Sequence, residues 1–516
     1  MIPAEENGPV EEVSQRTELR GLMIAPGKTA FQAALPIGVA IFAQGDDWIT
    51  SLIGIAAAFA GILLLTVVVS YLQWTRLRYT LGASDIRVES GLLSRKVRSV
   101  PFERIQDVSV EQGPLARMLS LVQLGFETGA GAGEDLSLAY VSVEEGKRLR
   151  AVVRDRVAQA AGAPVEAGLA EAEEEAAPLL FAMDMRRVLI LGVFNFSLVV
   201  FALVGGFFAQ FDELLPFDLW DFDRWQELIA GPGAWLAGLG PWARAVGVAV
   251  LLLVLVLSGV VTGLATTVLR EWGFRLERTE RGFRRRRGLL TRTEMVLPVR
   301  RVQAVITHTG AIRARFGWHA LSLVSLAADA GAANHAIAPL AKHDEIDPLI
   351  LEAGFTPAGN GVEWQRVTRA FIWVEMLDRM RWWIVFALIV SGSQWYFQPD
   401  GWLAMRWLAA VPLTIGIWRA LRLGMSLLRT HYAIDEAQLY LRSGWLAPYM
   451  LVCPREKLHS ATIAQGPVAR RLDYAALTFG LAGGSASIPG LPLEAAHRLR
   501  DTVLQSMKRR DFSAIV

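Results

Sequence analysis

The sequence runs to 516 residues, of which 53% are apolar and 20% charged, with a mean hydropathy of +0.34. That hydropathy excludes an ordinary soluble globule, and that much charge excludes membrane helix throughout, so the two residue classes must be segregated along the chain. A formal net charge of +2 is too small to suggest nucleic acid as a partner, and the single cysteine, Cys453, excludes an intrachain disulfide or a cysteine-built metal site.

Taken from the N-terminus, residues 1–29 carry Glu5, Glu6, Glu11, Glu12 and Glu18 and no apolar signal-peptide core, so they read as a cytosolic tail. Residues 30–74 read as a membrane hairpin, with helices at 30–43, containing Pro36, and 48–74. A β-rich domain is expected over 75–160. Ile86 and Val88, then Val122, Leu124 and Phe126, then Leu136, Leu138 and Tyr140 alternate with small or polar residues, the period of half-buried strands. Ser142-Val143-Glu144-Glu145 is a capping-box pattern that opens a helix to about Ala160. Residues 161–180, with Glu171 and Glu173 to Glu175, read as an acidic linker.

A second hairpin is expected at 187–269, with helices at 188–211 and 243–269 around an outer loop at 212–241. A second domain follows at 270–355 and ends in a helix near 343–353. The third hairpin, 382–418, has helices at 382–397, expected to be broken by Ser391-Gly392-Ser393, and at 402–418. A third domain at 429–510 closes with a helix from Pro492 to about Arg509. The hairpin turns hold Asp46, Asp47, Asp212, Asp218, Asp221 and Asp400, whereas Lys28, Arg76, Arg78, Arg186, Arg187, Arg270, Arg379, Arg381, Arg419, Arg422 and Arg429 fall at the other ends of the helices. Positive charge marks the cytosolic side, so the expectation is a multi-pass protein of the cytoplasmic membrane with six spans. Its domains and both termini are then cytosolic. Within the spans only Arg244 and Arg406 are ionisable, both close to the outer ends, which favours anchoring over a transport route.

Each hairpin is followed by the same string. The first copy has Tyr79-Thr80-Leu81, Gly91-Leu92-Leu93, Pro101, Arg104-Ile105-Gln106 and Gln112-Gly113-Pro114-Leu115. The second has Gly288-Leu289-Leu290, Pro298, Arg301-Val302-Gln303 and Thr309-Gly310-Ala311-Ile312. The third has Gly444-Trp445-Leu446, Pro454, Lys457-Leu458-His459 and Gln465-Gly466-Pro467-Val468. Ten residues separate the first Gly from the Pro, and twelve separate that Pro from the next Gly, in all three copies. Such ungapped agreement marks an internal repeat. The Gly-Pro steps are expected to interrupt strand pairing, because Pro donates no ladder hydrogen bond.

The string resembles the bacterial pleckstrin-homology (PH) domain family, and the three hairpin-plus-domain units resemble its multi-spanning, YdbT-type members. The resemblance implies membrane α-helical hairpins plus three α+β PH-like domains, each a split β-barrel with a C-terminal capping helix. It implies little about biochemical activity.

Two groups of residues are candidates for binding. Arg284-Arg285-Arg286-Arg287, with Arg292 nearby, is the densest charge cluster and lies close to the expected inner membrane face. Such clusters attract anionic lipid at about 1 kcal/mol per base; the competing reading is a topology signal and solubilising edge strand. Arg104, Arg301 and Lys457 recur three residues after the structural Pro, where they fit either a phosphate or partner contact or a salt bridge or strand-edge device. No metal site, cofactor motif or catalytic constellation stands out: His308, His319, His335 and His343 lack the spacing of a zinc helix, and no Gly-rich stretch continues into the Lys-Ser/Thr of a phosphate loop. The expectation is a non-enzymatic membrane scaffold that binds protein partners or anionic lipid head groups. The alternative is a component of an export or resistance system whose helices form a route for a lipid or peptide.

Overall fold

The long apolar stretches form helices and the alternating stretches form antiparallel strands. The structure, a computed structural model, describes residues 14–30, 32–33, 48–91, 94–128, 136–160, 177–196, 240–280, 282–325, 334–359, 361–397, 407–481 and 484–508. The chain divides into two units, Met1–Val296 and Leu297–Val516.

In the first unit, α1 covers Trp48–Arg76 in the first copy. Its stretch Phe59–Arg76 is long and apolar enough to cross a membrane, and so are Ala245–Glu271 and, in the second unit, Leu408–Leu428. Leu64, Leu65, Leu252, Leu253, Val261 and Leu421 on these stretches are exposed, as expected of surfaces solvated by lipid. Strand β1 (Ser14–Arg16) precedes α1, and β2 (Arg78–Leu81), β3 (Asp85–Ser90) and β4 (Lys96–Pro101) follow it. They make one antiparallel sheet in the order β1-β2-β3-β4. The chain continues through β5 (Ile105–Gln112), α2 (Pro114–Met118), β6 (Leu121–Thr128), β7 (Leu136–Ser142) and α3 (Val143–Ala160). The amide of Glu145 donates to Ser142 Oγ (3.1 Å) and caps α3 as the sequence pattern predicts.

The Gly-Pro steps do more than stop a strand. Gly113 and Gly466 are N-caps, and Pro114 and Pro467 take the first turn of a five-residue helix, where a missing N–H costs nothing and the fixed φ fits. The first glycine of the repeat has a different duty. Gly91, Gly288 and Gly444 have φ of +112°, +111° and +101°, a conformation that a side chain strains. A Cβ there would collide with the carbonyl of Ser94, Thr291 or Ala447. The ten-residue spacing thus pins one turn geometry in all copies.

After β8 (Leu179–Ala182) comes α4, Met185–Phe194. The helix expected at 188–211 therefore stops at Phe194. Asn195 leaves the helical conformation, and its side-chain amide donates to Thr267 Oγ1 (3.0 Å) of the facing helix; residues 197–211 lie outside the described residues. That facing helix is α5, Pro241–Glu271. Strands β9 (Arg275–Thr279), β10 (Gly282–Arg287) and β11 (Arg292–Pro298) complete the unit.

The second unit contains β12 (Val302–His308), α6 (Ala311–Arg315), β13 (His319–Ser325), β14 (Asn334–Ala341) and α7 (His343–Glu352). Next are β15 (Gln365–Arg366), α8 (Arg369–Phe397) and α9 (Trp407–Leu428). The expected break at Ser391-Gly392-Ser393 does not occur: α8 runs through it, and Ser393 Oγ donates back to the Val390 carbonyl (2.8 Å), which satisfies the hydroxyl within the helix. The helix also begins at Arg369, well before 382. Its added turns are held by Arg379–Glu375 (3.6 Å) and Arg381–Asp378 (3.0 Å) pairs at helical spacing. Last come β16 (His431–Ile434), β17 (Gln438–Ser443), β18 (Tyr449–Pro454), β19 (Leu458–Ala464), α10 (Pro467–Arg471), β20 (Tyr474–Leu481), β21 (Gly484–Pro492) and α11 (Leu493–Lys508). The expected hairpin turns at 44–47 and 398–401, and the loop over 212–239, lie outside the described residues.

The sheets are shared between successive copies. In the first unit the order is β7-β6-β5-β11-β10-β9-β8, so the first copy's last three strands continue into the second copy's first four. In the second unit the order is β14-β13-β12-β18-β17-β16-β15, which joins the second and third copies in the same way. Four strands stand alone at the start of the chain (β1 to β4) and three at its end (β19 to β21). Apolar faces hold the sheets together. Tyr79, Ile86 and Val88 of the leading sheet share a core with Val108, Leu124 and Phe126 and with Leu149 and Val153 of α3. In the second unit Tyr432, Leu441 and Cys453 share a core with Phe479, Ile488 and Val503 of α11. Burial of each such side chain contributes about 1.5–3 kcal/mol.

Candidate functional site

The arginine run occupies β10, and its charges are answered by carboxylates of the same sheet and of α5. Arg284 is 3% exposed, and its Nη2 and Nε lie 2.6 and 2.7 Å from Glu277 Oε2 on β9, its cross-strand partner. Arg286 Nε reaches Glu294 Oε2 on β11 (3.1 Å) and its Nη1 lies 3.9 Å from Glu277. Arg287 Nη1 lies 2.8 Å from Glu271 Oε1, as does Arg270 Nε, at the C-terminal end of α5. Arg285 Nη2 rests against Met295 Sδ (3.8 Å). The partners Glu271, Glu277 and Glu294 are spread over residues before and after the run, so the one-dimensional pattern shows four bases while the fold sets three of them, Arg284, Arg286 and Arg287, against carboxylates. Arg292 at the start of β11 is exposed.

Glu294 is the hub of this network and also of the first joint between copies. On that joint Arg292 pairs with Gln112, Thr293 with Glu111 and Glu294 with Val110. Arg150 of α3 crosses it to Glu294 Oε1 (3.0 Å), and Arg117 of α2 donates to the Leu289 carbonyl (3.3 Å). Burial pushes the Glu294 carboxyl up, but Arg150 and Arg286 outweigh it and leave the group below the usual carboxylate range.

The second joint pairs Val305 with Val452, Ile306 with Leu451, Thr307 with Met450 and His308 with Tyr449. The amides of Thr309 and Ala311 donate to the carbonyls of Pro448 (3.0 Å) and Leu446 (2.7 Å). Lys457, one of the recurring bases, donates from Nζ to the Val302 carbonyl across this joint and lies 5.3 Å from the Phe355 ring centroid. It is a clamp between sheets. Arg301 is 4% exposed, whereas Arg104, the equivalent base of the first copy, is exposed. Cys453 is buried in the joint strand, and burial pushes its thiol up to about 12 although Lys457 opposes the shift.

The segments before the hairpins belong to the sheets. β1 pairs with β2, β8 with β9 and β15 with β16, so in each copy the strands before and after the long apolar region lie side by side. In the first and third copies a tyrosine hydroxyl donates to a glutamine across this pairing, Tyr79 to Gln15 (2.6 Å) and Tyr432 to Gln365 (2.7 Å). In the first copy Trp74 Nε1 also donates to the Thr17 carbonyl (2.9 Å). Two cavities of about 640 and 620 Å³ open beside this contact. The larger is lined by Lys28, Trp74, Leu77, Lys96 and Tyr140, and Lys28 and Tyr140 line the smaller as well. Periodicity marked Tyr140 as a strand residue and charge placement marked Lys28, but neither brought these residues together, because they come from the tail, α1 and the residue after it, β4 and β7.

His319 and His343 stack at 4.6 Å between ring centroids, and burial, then His343, lowers the pKa of His319. Among the described residues no group of three or more His, Cys, Asp or Glu side chains is placed to hold a metal ion.

Comparison with known proteins bears on this architecture. The model of the bacterial PH domain family matches residues 33–157, 232–353 and 382–507, one match for each copy of the repeat. The chain is similar to the UPF0699 transmembrane protein YdbT of Bacillus subtilis, with 27% identity over 277 residues, 52% of this chain and 54% of that protein. It is also similar to the UPF0699 transmembrane protein YdbS of the same organism, with 25% identity over 120 residues, 23% of this chain and 73% of that protein. The matched region thus spans about half the length of YdbT. No solved structure matches the chain at a significant level. Three family matches, antiparallel sheets with helices, and helices long and apolar enough to cross a membrane lead to one conclusion: the chain is a membrane protein of the bacterial PH domain family, with three copies of the domain.

Proposed function

We propose that the protein is a non-enzymatic, membrane-anchored scaffold, with six spans in three hairpins and three cytosolic PH-like domains of split-barrel form that bind protein partners at the inner leaflet. The observation that carries this reading is the shared sheet. Both joints between copies are made by pairing strand edges, the mode by which sheets also recognise other chains, and the domains devote their strongest charges to holding that arrangement. The side-by-side strands at the foot of each hairpin support a hairpin topology, since they return the chain to the side it left. Tethering holds the domains at the membrane surface and raises their effective concentration there.

A second reading, anionic head-group binding, is favoured by the lysine-lined cavities beside Trp74 rather than by the arginine run, in which Arg284, Arg286 and Arg287 already face carboxylates. A role in export rests on the helices alone. The test is a photo-reactive residue placed in turn at Val97, Lys28 and Arg292 of the full-length protein in native membranes. The scaffold reading predicts protein adducts at Val97; adducts to lipid at Lys28 alone would favour the head-group reading. Transport of lipid or peptide by the purified protein in vesicles, without partners, would overturn both.

A further inference from the structure

Two outer strand edges of the sheets, at β4 and at β19, are complementary to each other. Each joint pairs the last strand of a leading sheet (β11 or β18) with the first strand of the preceding copy's trailing sheet (β5 or β12). Among the described residues, β4 of the first copy and β19 of the third have no such counterpart. Consequently β4 is an edge strand of its sheet and β19 an edge strand of its own. β4 corresponds to β11 and β18, and β19 to β5 and β12.

The joints also agree in register. Counted from the Pro that ends one strand and the Gly that follows the other, Thr293 stands five before Pro298 and faces Glu111, two before Gly113. Tyr449 stands five before Pro454 and faces His308, two before Gly310. Glu294 and Val110 repeat the relation one residue on, as do Met450 and Thr307. Applied to the free ends, the rule sets Lys96 opposite Ala464, Val97 opposite Ile463, Arg98 opposite Thr462 and Ser99 opposite Ala461. The chemistry suits that alignment. Val97 is 49% exposed on its edge, and Ile463 is a partly buried residue at the margin of the third copy's core. Paired, they bring apolar side chains together, as Leu451 and Ile306 do in the second joint.

From this we propose that the chain associates head to tail with further copies of itself, β4 of one molecule pairing antiparallel with β19 of the next in the register of the internal joints. The exposed Arg104 takes the part that Lys457 plays within the chain. Lys457 donates to the Val302 carbonyl at the second joint; the corresponding acceptor for Arg104 is the Leu458 carbonyl of the neighbouring molecule. A heterologous contact of this kind closes into a ring or extends as an open array, and the membrane confines either to its plane. An exposed strand edge invites unspecific pairing, which charged side chains discourage. Lys96 and Arg98 can serve that end alone; against it, β11 carries Arg292 and Glu294 and is paired. The inference rests on the scaffold reading in one respect, that strand edges are partner surfaces, and it names the partner.

The test is oxidative cross-linking of the full-length protein in native membranes. Cells co-express Val97→Cys and Ile463→Cys chains, which carry different tags; facing Cα atoms in an antiparallel pair lie about 4.5–5.5 Å apart, within disulfide range. The buried Cys453 gives little background. The mixture is expected to yield a disulfide dimer that contains both tags, and a chain carrying both cysteines a ladder of higher species. Neither single variant yields a dimer, and shifting the partner to His459→Cys loses the product. Arg104→Ala reduces the yield and Arg104→Lys keeps it. No two-tag dimer, together with a solubilised mass of one chain, overturns the proposal. So does a Val97→Cys dimer as abundant as the mixed one, because that contact is two-fold rather than head to tail. A Val97→Cys adduct with a different protein overturns self-association but leaves the scaffold reading standing.

Discussion

Replacing Glu277 by Gln should damage the second copy more than replacing Arg284, with which it is paired. Arg284 is 3% exposed and places two guanidinium nitrogens on one oxygen of Glu277, at 2.6 and 2.7 Å. Removal of the carboxylate leaves that cation buried without its counter-charge, a loss of about 3–5 kcal/mol. It also deprives Arg286 of a neighbour at 3.9 Å. Arg284→Gln leaves Glu277 with Arg286 still beside it, so the cost falls to about 1–3 kcal/mol, the range for a buried group that keeps part of its partnership. A paired change, Glu277→Leu with Arg284→Met, removes both charges and should recover most of the loss. The assay is amide hydrogen exchange over β9 and β10 in the full-length protein in lipid discs. A loss of 3–5 kcal/mol in opening free energy speeds exchange there by roughly 10²- to 10⁴-fold. Equal, small effects of the two single changes, with protection elsewhere preserved, would refute the reasoning and return the arginine run to the surface as a free basic patch.

Acidification should loosen the first joint. The folded-state pKa of Glu294 lies below its ordinary value, so its contribution is present above the unfolded carboxylate pKa of about 4.3 and is lost as the pH falls through the folded value. Protection factors at β5 and β11, taken against the intrinsic exchange rate at each pH, should therefore fall as the pH is lowered past about 4, and Glu294→Gln should remove its share of that dependence. Gly288→Ala should lower thermal stability by more than about 1 kcal/mol, since φ is +111° and the new Cβ meets the Thr291 carbonyl; Gly310→Ala, with open space around it, serves as the mild comparison. Ser142→Ala removes the cap on the Glu145 amide and should cost about 1 kcal/mol, read from exchange in the first turn of α3.

What the sequence conveyed and what it withheld divide along physical lines. Local signals were legible. The alternation at Ile86 and Val88 became β3, that at Val122, Leu124 and Phe126 became β6, and the Ser142 cap opened α3. These depend on neighbours within a few residues. The glycine spacing was legible as a repeat, though its cause, one strained turn at Gly91, Gly288 and Gly444, required φ values. Hidden were the long-range partnerships. Three residues at Ser14–Arg16 and two at Gln365–Arg366 are too short to show strand periodicity, and only their pairing with strands far along the chain, β2 and β16, defines them. Serine and glycine at 391–393 suggested a break, but a back-donated hydroxyl keeps the helix continuous. The arginine run displayed its charge in one dimension and its carboxylates only in three. Lys457 was noticed because it recurs, while its acceptor, the Val302 carbonyl, lies in the preceding copy.

The central claim is that three hairpins mount the domains on one face of the membrane. Labelling with a membrane-impermeant thiol reagent tests it most directly, because Cys453 is fully buried and its thiol is pushed up to about 12. Asp46→Cys, Asp221→Cys and Asp400→Cys should react in intact cells, whereas Met118→Cys, Ile312→Cys and Val468→Cys, on exposed residues of the three copies, should react only after the membrane is opened. Labelling of any domain cysteine in intact cells, or protection of the hairpin cysteines, would contradict the account.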